Sequence, residues 1–470
     1  FFGETAMNQN DTITAISTGL SEAGISIVRI SGRQAFEIAD KVVKLAAGTL
    51  IAKAESHRIY YGHVFDQGTL VDEVLVSVFR APKSYTAENT VEINCHGGVV
   101  VTRRVLQTVI WAGARPAEPG EFTKRAFLNG RIDLTKAEAV MDVIRAQSEY
   151  ALQNSTSQLQ GAIYGKMQDL RQKILYQAAF IESVLDDPEH YRMEDAGQPL
   201  GEVVGSLISE MEELISSFQN GRLLKEGIKT VILGRPNAGK SSLINVLTGE
   251  EKAIVTEVAG TTRDVVEQSV MIHGIMLQIM DTAGIRDTDD QVEKIGVNRA
   301  KELAAQADLI LYVVDASEPL NESDDEILSI LGTQNVIVVL NKNDMEPVIS
   351  QTVLEDELRK RKMDAYPVVS ISAKHRNGID LLENKIKELF FEGNLSFNNQ
   401  VFLTSERQKQ AVMQAKESLL HVREGIRIQL SEEFLTADLM NAYEQLGLVI
   451  GEALDEDLAD EIFKQFCMGK

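Results

Sequence analysis

A chain of 470 residues has room for roughly three domains of about 150 residues each. Aspartate plus glutamate is 70 against 47 for lysine plus arginine, and the net charge of -23 excludes a broadly basic coat that grips nucleic acid by counterion release. Two cysteines, Cys95 and Cys467, exclude a disulfide framework and make a reducing cytoplasm the expected location, while no apolar run reaches the ~18 residues of a membrane span.

The opening FFGETAMNQN lacks the basic head and long apolar core of a signal peptide, and Met7 is expected to be the first functional residue. Short β-type runs at 25–30, 74–79 and 90–94 follow, with helical stretches expected near 33–45 and 99–111. This predicts an α+β domain over 7–124. From about 121 to 224, apolar residues recur at spacings of three and four, as at 126–128, 137–144 and 170–185. Asp186-Asp187-Pro188 reads as a helix stop. Between 228 and 391, strands rich in Val and Ile alternate with helices of roughly 10–15 residues, the pattern of a mostly parallel sheet. Helical periodicity returns from about 403 to 465. Helical texture on both sides of an α/β block predicts a discontinuous helical domain, 125–226 and 394–470, with 227–393 inserted into it.

The inserted block carries the densest chemistry. An apolar strand leads into Gly234-Arg-Pro-Asn-Ala-Gly239-Lys240-Ser241 and then a helix over 242–247, the plan of a phosphate-binding loop. Glycines let backbone N–H groups wrap a phosphate, and the helix N-terminus adds partial positive charge. Asn237, Ala238, Gly239, Lys240, Ser241 and Ser242 are assigned to GTP, with Lys240 on the β- and γ-phosphates and the Ser241 hydroxyl on Mg²⁺. Asp281, Thr282, Ala283 and Gly284 end a strand, with Asp281 toward the metal and the Gly284 amide toward the γ-phosphate. Asn341, Lys342 and Asp344 follow the strand 336–340, and a carboxylate there accepts two hydrogen bonds from guanine that adenine does not offer. Ser372, Ala373 and Lys374 complete the base site. In Ala259-Gly260-Thr261-Thr262-Arg263-Asp264 a switch loop is expected, with Thr262 closing over Mg²⁺. Ile285 stands where a Ras-like GTPase has its water-orienting glutamine, which leaves Asp287, Asp289, Asp290 and Glu293 as candidates.

GRPNAGKSSL, GTTRD, DTAGIR and the ending Phe466-Cys467-Met468-Gly469-Lys470 resemble the MnmE (TrmE) family of tRNA-modification GTPases. So do GISIVRISG at 24–32, VEINCHGG at 91–98 and PGEFTKRAFLNGRIDL at 119–134, and the resemblance covers essentially all of 11–470. It implies an N-terminal α+β folate-binding-type domain, a discontinuous helical domain and an inserted Ras-like P-loop GTPase domain with a mostly parallel six-stranded sheet. It implies a homodimer through the N-terminal domain and a flavoprotein partner, MnmG (GidA), that carries FAD and most of the tRNA contact in a heterotetramer or larger complex. The implied reaction adds an aminomethyl or carboxymethylaminomethyl group to C5 of the wobble uridine, with one carbon from 5,10-methylene- or 5-formyl-tetrahydrofolate. G-domain dimerisation would drive hydrolysis.

Residue by residue, the resemblance places potassium on Asn237, Thr256, Val258 and Thr261. It assigns the segment Thr256, Glu257, Val258, Ala259, Gly260, Thr261 and Thr262 to the nucleotide and the attacking water to Glu293. Folate contacts fall on Arg29, Glu92, Arg131 and Lys470, with arginine at 131 where relatives often have lysine. Cys467 would reach that site and serve modification rather than hydrolysis. For this to hold, the final helix, roughly 457–466, must run back toward the N-terminal domain on an apolar face made by Ile462, Phe463 and Phe466. Cys95-His96 looks like a nucleophile pair, but His96-Gly97-Gly98 reads better as a strand-to-helix turn. A ribosome-assembly GTPase of the Era or Der type is the alternative; an RNA-binding domain would then follow the GTPase block, where acidic helices stand instead.

Overall fold

The computed structural model describes residues 11–186, 190, 199–249, 268–280, 301–332, 334–391, 401–452, 456–464, 466 and 469. Their contacts divide them into two compact units, one from Phe1–Ile144, Gln158–Leu200 and Glu417–Lys470, the other from Arg145–Ser157 and Gly201–Lys416.

The first unit is built on a seven-stranded sheet. Its strands are β1 (Ile13–Ile16), β2 (Ala23–Ser31), β3 (Val43–Leu45), β4 (Arg58–Asp66), β5 (Thr69–Phe79), β6 (Thr90–Gly97) and β7 (Arg115–Pro116), in the order β3-β4-β5-β6-β2-β1-β7. All pairs are antiparallel except β1 with β7. Alternation decides the faces. Val74, Val76 and Val78 of β5, Val91 and Ile93 of β6, and Val28 and Ile30 of β2 share one core with the helices Ala35–Val42 and Val99–Trp111. Ile25, Ile59, Tyr61 and Leu75 stay exposed. The helix expected near 33–45 stops at Val42, because Val43–Leu45 joins the edge of β4 as β3, with Val43 opposite Val64. The helix at 99–111 stands as expected.

Helices Leu134–Arg145, Ala162–Asp186, Glu432–Ile450 and Glu456–Lys464 also contribute to this unit. Ala162–Asp186 packs along Glu432–Ile450, where the Arg171 guanidinium lies 4.0 Å over the Tyr443 ring and donates to Glu452 at 2.7 Å. Ala162–Asp186 ends where the Asp-Asp-Pro signal begins.

The second unit holds a six-stranded sheet of β8 (Ile228–Gly234), β9 (Gln268–Ile272), β10 (Ile275–Met280), β11 (Leu309–Asp315), β12 (Asn335–Asn341) and β13 (Val368–Ser370). The order is β13-β12-β11-β8-β10-β9, and only β9 is antiparallel. β11 is buried along its whole length, as a central parallel strand must be when helices cover both faces. One core lies around Leu243, Leu382 and Ile386, the other around Leu328, Leu354 and Leu358, on the helices Lys240–Leu247, Ile379–Phe391, Glu322–Ile330 and Gln351–Lys360. Among the described residues no helix is long and apolar enough to cross a membrane, and no group of three metal-ligating side chains occurs.

Candidate nucleotide site and a second polar cluster

The phosphate loop runs from the end of β8 into the helix Lys240–Leu247. Gly234 has φ 153°, and a Cβ there would lie 2.4 Å from the Val313 carbonyl oxygen. Gly239 has φ 99°, and its Cβ would lie 2.1 Å from Asn341 Nδ2. Neither position admits a side chain, so the loop hugs β11 and the base-binding segment. Asn237 is left-handed at φ 63°. Lys240 Nζ donates to the Gly234 and Arg235 carbonyls, both at 2.6 Å, which holds the ammonium over the loop. Ser241 and Ser242 lie in the first helical turn and are exposed.

Asn341 ends β12 and is buried. Its Nδ2 donates to Ala238 O at 2.9 Å and its Oδ1 accepts from Ala373 N at 3.0 Å, so one amide joins three motif segments. Lys342 takes φ 66° and reaches Asp315 at the end of β11, 2.5 Å away. Burial alone would raise the Asp315 carboxyl, but the hydrogen bonds from Lys342 and Ser317 outweigh it and the carboxyl is held low. Ser372 Oγ donates to Asp344 Oδ1 at 2.6 Å and holds that carboxyl below its ordinary 3.8, in the ionised form that accepts guanine N–H groups. Lys374 is exposed beside them. Asp315 was not singled out by the sequence; its signal is an aspartate ending a central strand level with Asn341, its register partner.

Thr256, Glu257, Val258, Ala259, Gly260, Thr261, Thr262, Asp281, Thr282, Ala283, Gly284 and Glu293 lie outside the described residues, as do Arg263, Asp264, Asp287, Asp289 and Asp290. β10 ends at Met280, immediately before Asp281.

A second cluster forms on the first unit. Arg29 and Glu92 are register partners on β2 and β6, and their side chains pair at 2.9 Å. The Arg29 guanidinium lies 5.4 Å from the centres of the Tyr85 and Phe122 rings. Arg131 lies 5.1 Å from the Tyr85 ring and donates to Tyr85 O at 2.9 Å. Arg29 and Arg131 therefore come together at Tyr85, with Glu92 joined through Arg29; Tyr85 is an organising residue that sequence spacing does not mark. Its hydroxyl meets Thr123 at 2.9 Å.

The final helix, Glu456–Lys464, packs against the helix Glu121–Leu128, and the chain end beyond it reaches Arg29. Phe463 and Phe466 pack with Phe127, Leu134, Ala137 and Met141. Gly120, at φ 70°, makes room for Phe463, whose carbonyl would lie 2.4 Å from a Cβ there. Gly469 O then accepts from Ser17 Oγ at 3.0 Å and from Arg29 NH1 at 3.4 Å. Cys467 and Lys470 lie outside the described residues.

Cys95 and His96 do not form a nucleophile pair. Successive strand residues face opposite ways. Cys95 is buried on the helix side with Sγ 3.4 Å from Ser26 O, and burial pushes its thiol up. His96 is exposed on the other side and pairs with Asp72 at 2.7 Å.

Two family models match the chain: the MnmE helical domain over residues 134–467 and the GTP-binding protein TrmE N-terminus over 12–131. The tRNA modification GTPase MnmE of Lachnoclostridium phytofermentans is 52% identical over 463 residues, covering 98% of this chain and 100% of that one. The protein of the same description from Bacillus pumilus is 45% identical over 463 residues, with 98% and 100% covered. That from Thermoanaerobacter pseudethanolicus is 46% identical over 462 residues, with 98% and 99% covered.

Proposed function

Because this chain belongs to the MnmE family of tRNA modification GTPases, we propose that its GTP hydrolysis is activated by potassium and serves C5 modification of the wobble uridine. The chain is a GTP hydrolase, and its GTP is held by the phosphate loop and the base site of the second unit. Asp344 reads the guanine, and Lys240 neutralises charge on the β- and γ-phosphates. Mg²⁺ would be held by Ser241 and Thr262. Potassium would be held by the Asn237 side chain with Thr256, Val258 and Thr261, where it offsets charge between the β- and γ-phosphates as an arginine finger does. Glu293 would orient the water.

The modification chemistry belongs to the first unit in this reading, shared with a flavoprotein of the MnmG (GidA) type that brings FAD and most of the tRNA contact. The observation that carries it is the meeting of Arg29 and Arg131 at one aromatic ring, with Glu92 and the Gly469 carbonyl held by Arg29. Two guanidiniums beside an aromatic face suit a flat heterocycle with carboxylates on its tail. The donor set therefore fits a one-carbon tetrahydrofolate, which would supply the methylene carbon. Glu92 would accept ring N–H groups, and Lys470 would meet a tail carboxylate. The open sheet face with Ile25, Ile59, Tyr61 and Leu75 supports a homodimer through this unit. A chain with a net charge of -23 favours tRNA contact through the partner.

Equilibrium binding of 5-formyl-tetrahydrofolate to the full chain tests the folate site. Arg29→Ala and Glu92→Gln should each weaken binding about tenfold or more, the scale of one lost charge-assisted hydrogen bond. Unchanged binding in both would overturn it.

A further inference from the structure

We infer that Arg235 is a positioning residue for GTP hydrolysis: its side chain, clamped by the buried Asp324, fixes the backbone carbonyl that aims Lys240 at the phosphates. The inference rests on the GTPase reading of the second unit and needs nothing from the tRNA or folate reading.

Arg235 sits inside the phosphate loop, yet its side chain is only 8% exposed. Its Nε lies 3.1 Å from Asp324 Oδ2, and its NH1 donates to Pro319 O at 3.2 Å. Asp324 is fully buried and has no freedom to follow a displaced arginine. Its Oδ1 accepts from the Tyr312 hydroxyl at 2.8 Å, and its Oδ2 also accepts from Asn321 N at 3.0 Å. The second of these belongs to a capping box that fixes Asp324 in the first turn of the helix Glu322–Ile330. Tyr312 lies on β11 opposite Leu233 of β8, one residue before Gly234. The clamp is thus tied to the strand beside the loop as well as to the helix.

The backbone transmits this to the reacting groups. Arg235 O and Gly234 O both receive the Lys240 ammonium at 2.6 Å. Pro236 follows Arg235 and restricts the backbone of the residue before it, so holding the Arg235 side chain also holds its carbonyl. Phosphoryl transfer shifts charge toward the oxygen between the β- and γ-phosphates, and a small displacement of Lys240 weakens that contact more in the transition state than in the bound ground state. An ion pair that only braced the fold would alter stability and leave turnover alone.

The test uses the full chain with Arg235→Gln, Arg235→Lys, Asp324→Asn, the double variant Arg235→Gln/Asp324→Asn, and Tyr312→Phe. The readouts are GTP turnover in KCl, affinity for a fluorescent GDP analogue, and Tm. Arg235→Gln and Asp324→Asn should each lower kcat about tenfold or more, a scale that sub-ångström misplacement of a catalytic group reaches. GDP affinity should change by less than about threefold, because uniform binding is retained. Arg235→Lys should recover part of the loss, and the double variant should lose no more kcat than the worse single one, as expected for groups acting as a unit. Parent-like kcat in folded Arg235→Gln overturns the inference, and so do kcat losses that multiply in the double variant. If the loop variants fail to fold, Tyr312→Phe decides: loss of one hydroxyl should lower kcat about threefold at near-parent Tm, and unchanged kcat overturns the inference. A parent chain that turned over no GTP would instead refute the GTPase reading beneath it.

Discussion

Asn341 shows how one short amide organises a site: its donor is spent on Ala238 and its acceptor on Ala373, so neither end is interchangeable. Beside it, Asp344 is the residue proposed to read the base. In Asp344→Asn an amide nitrogen replaces a carboxylate oxygen opposite the guanine amine, so the bond to that amine is lost and the one to N1–H loses its charge. GDP affinity should fall about 100-fold. Xanthosine diphosphate, which carries a carbonyl where guanine has that amine, should bind better than it does to the parent. A competition assay that found the parent preference for GDP in the variant would contradict this role. Ser372 holds the Asp344 carboxyl below its ordinary 3.8, so the carboxylate persists as pH falls and recognition fails only below the usual carboxylate range. Ser372→Ala removes the hydroxyl, and its loss of GDP affinity on acidification should begin at higher pH. The motif residues were legible because loop, strand and helix spacing fixes them along the chain. Asp315, Tyr85 and Asp324 were not, because their partners Lys342, Arg131 and Arg235 lie far away in sequence.

Strands β2, β5 and β6 were legible from alternation, and the helix Val99–Trp111 from its apolar period. β3 and β7 were not, since strands of three and two residues carry no period and exist only because β4 and β1 offer free edges. Nor did any period announce the ion network that joins β7 to the helix Glu121–Leu128. Arg115 pairs with Asp11 at 2.7 Å and Glu121 at 2.6 Å, and Arg125 pairs with Asp11 at 2.7 Å, Glu121 at 2.9 Å and Glu88 at 3.2 Å. Glu121 and Arg125 are both buried. Removing one partner of a buried pair typically costs about 3–5 kcal/mol, but Arg115 still holds Asp11 and Glu121, so Arg125→Ala should cost about 2–3 kcal/mol in denaturant unfolding. Burial alone would raise the Glu121 carboxyl; Arg115, the Glu118 amide and Arg125 outweigh it and hold it below its ordinary 4.5. A depressed folded value stabilises above the ordinary one and is lost as pH falls through the folded one. Tm should therefore drop on acidification below 4.5, and Arg115→Met should flatten that drop. An acid profile identical in the variant would assign the loss to other groups.

The whole molecule keeps its two proposed sites in separate compact units: the described nucleotide-site residues run from Gly234 to Lys374, while Arg29, Glu92, Arg131 and Gly469 belong to the other unit. That separation makes the proposals independently testable. If potassium sits on Asn237, the parent should turn over GTP faster in KCl than in NaCl, and Asn237→Ala should remove the difference; equal parent rates in the two salts would end the potassium proposal. The tail gives the complementary test. Gly469 has φ 85°, and a Cβ there would lie 2.1 Å from Ile16 O, a backbone atom of β1 that has little room to move. Gly469→Val should therefore unseat the chain end from Ser17 and Arg29. Wobble-uridine modification with the flavoprotein partner should fall about 100-fold, the cost that misplacing a catalytic group by about 1 Å can reach, and folate affinity should weaken. GTP turnover should stay at the parent level, because the phosphate loop and the base site belong to the other compact unit. Gly68→Val is the matched control, since Gly68 has φ 86° with nothing within 4 Å, so it carries the same backbone strain without the collision. Loss of modification in Gly469→Val but not in Gly68→Val assigns the effect to the seat itself. Full modification in Gly469→Val would make the docked tail incidental and return the one-carbon chemistry to the N-terminal residues alone.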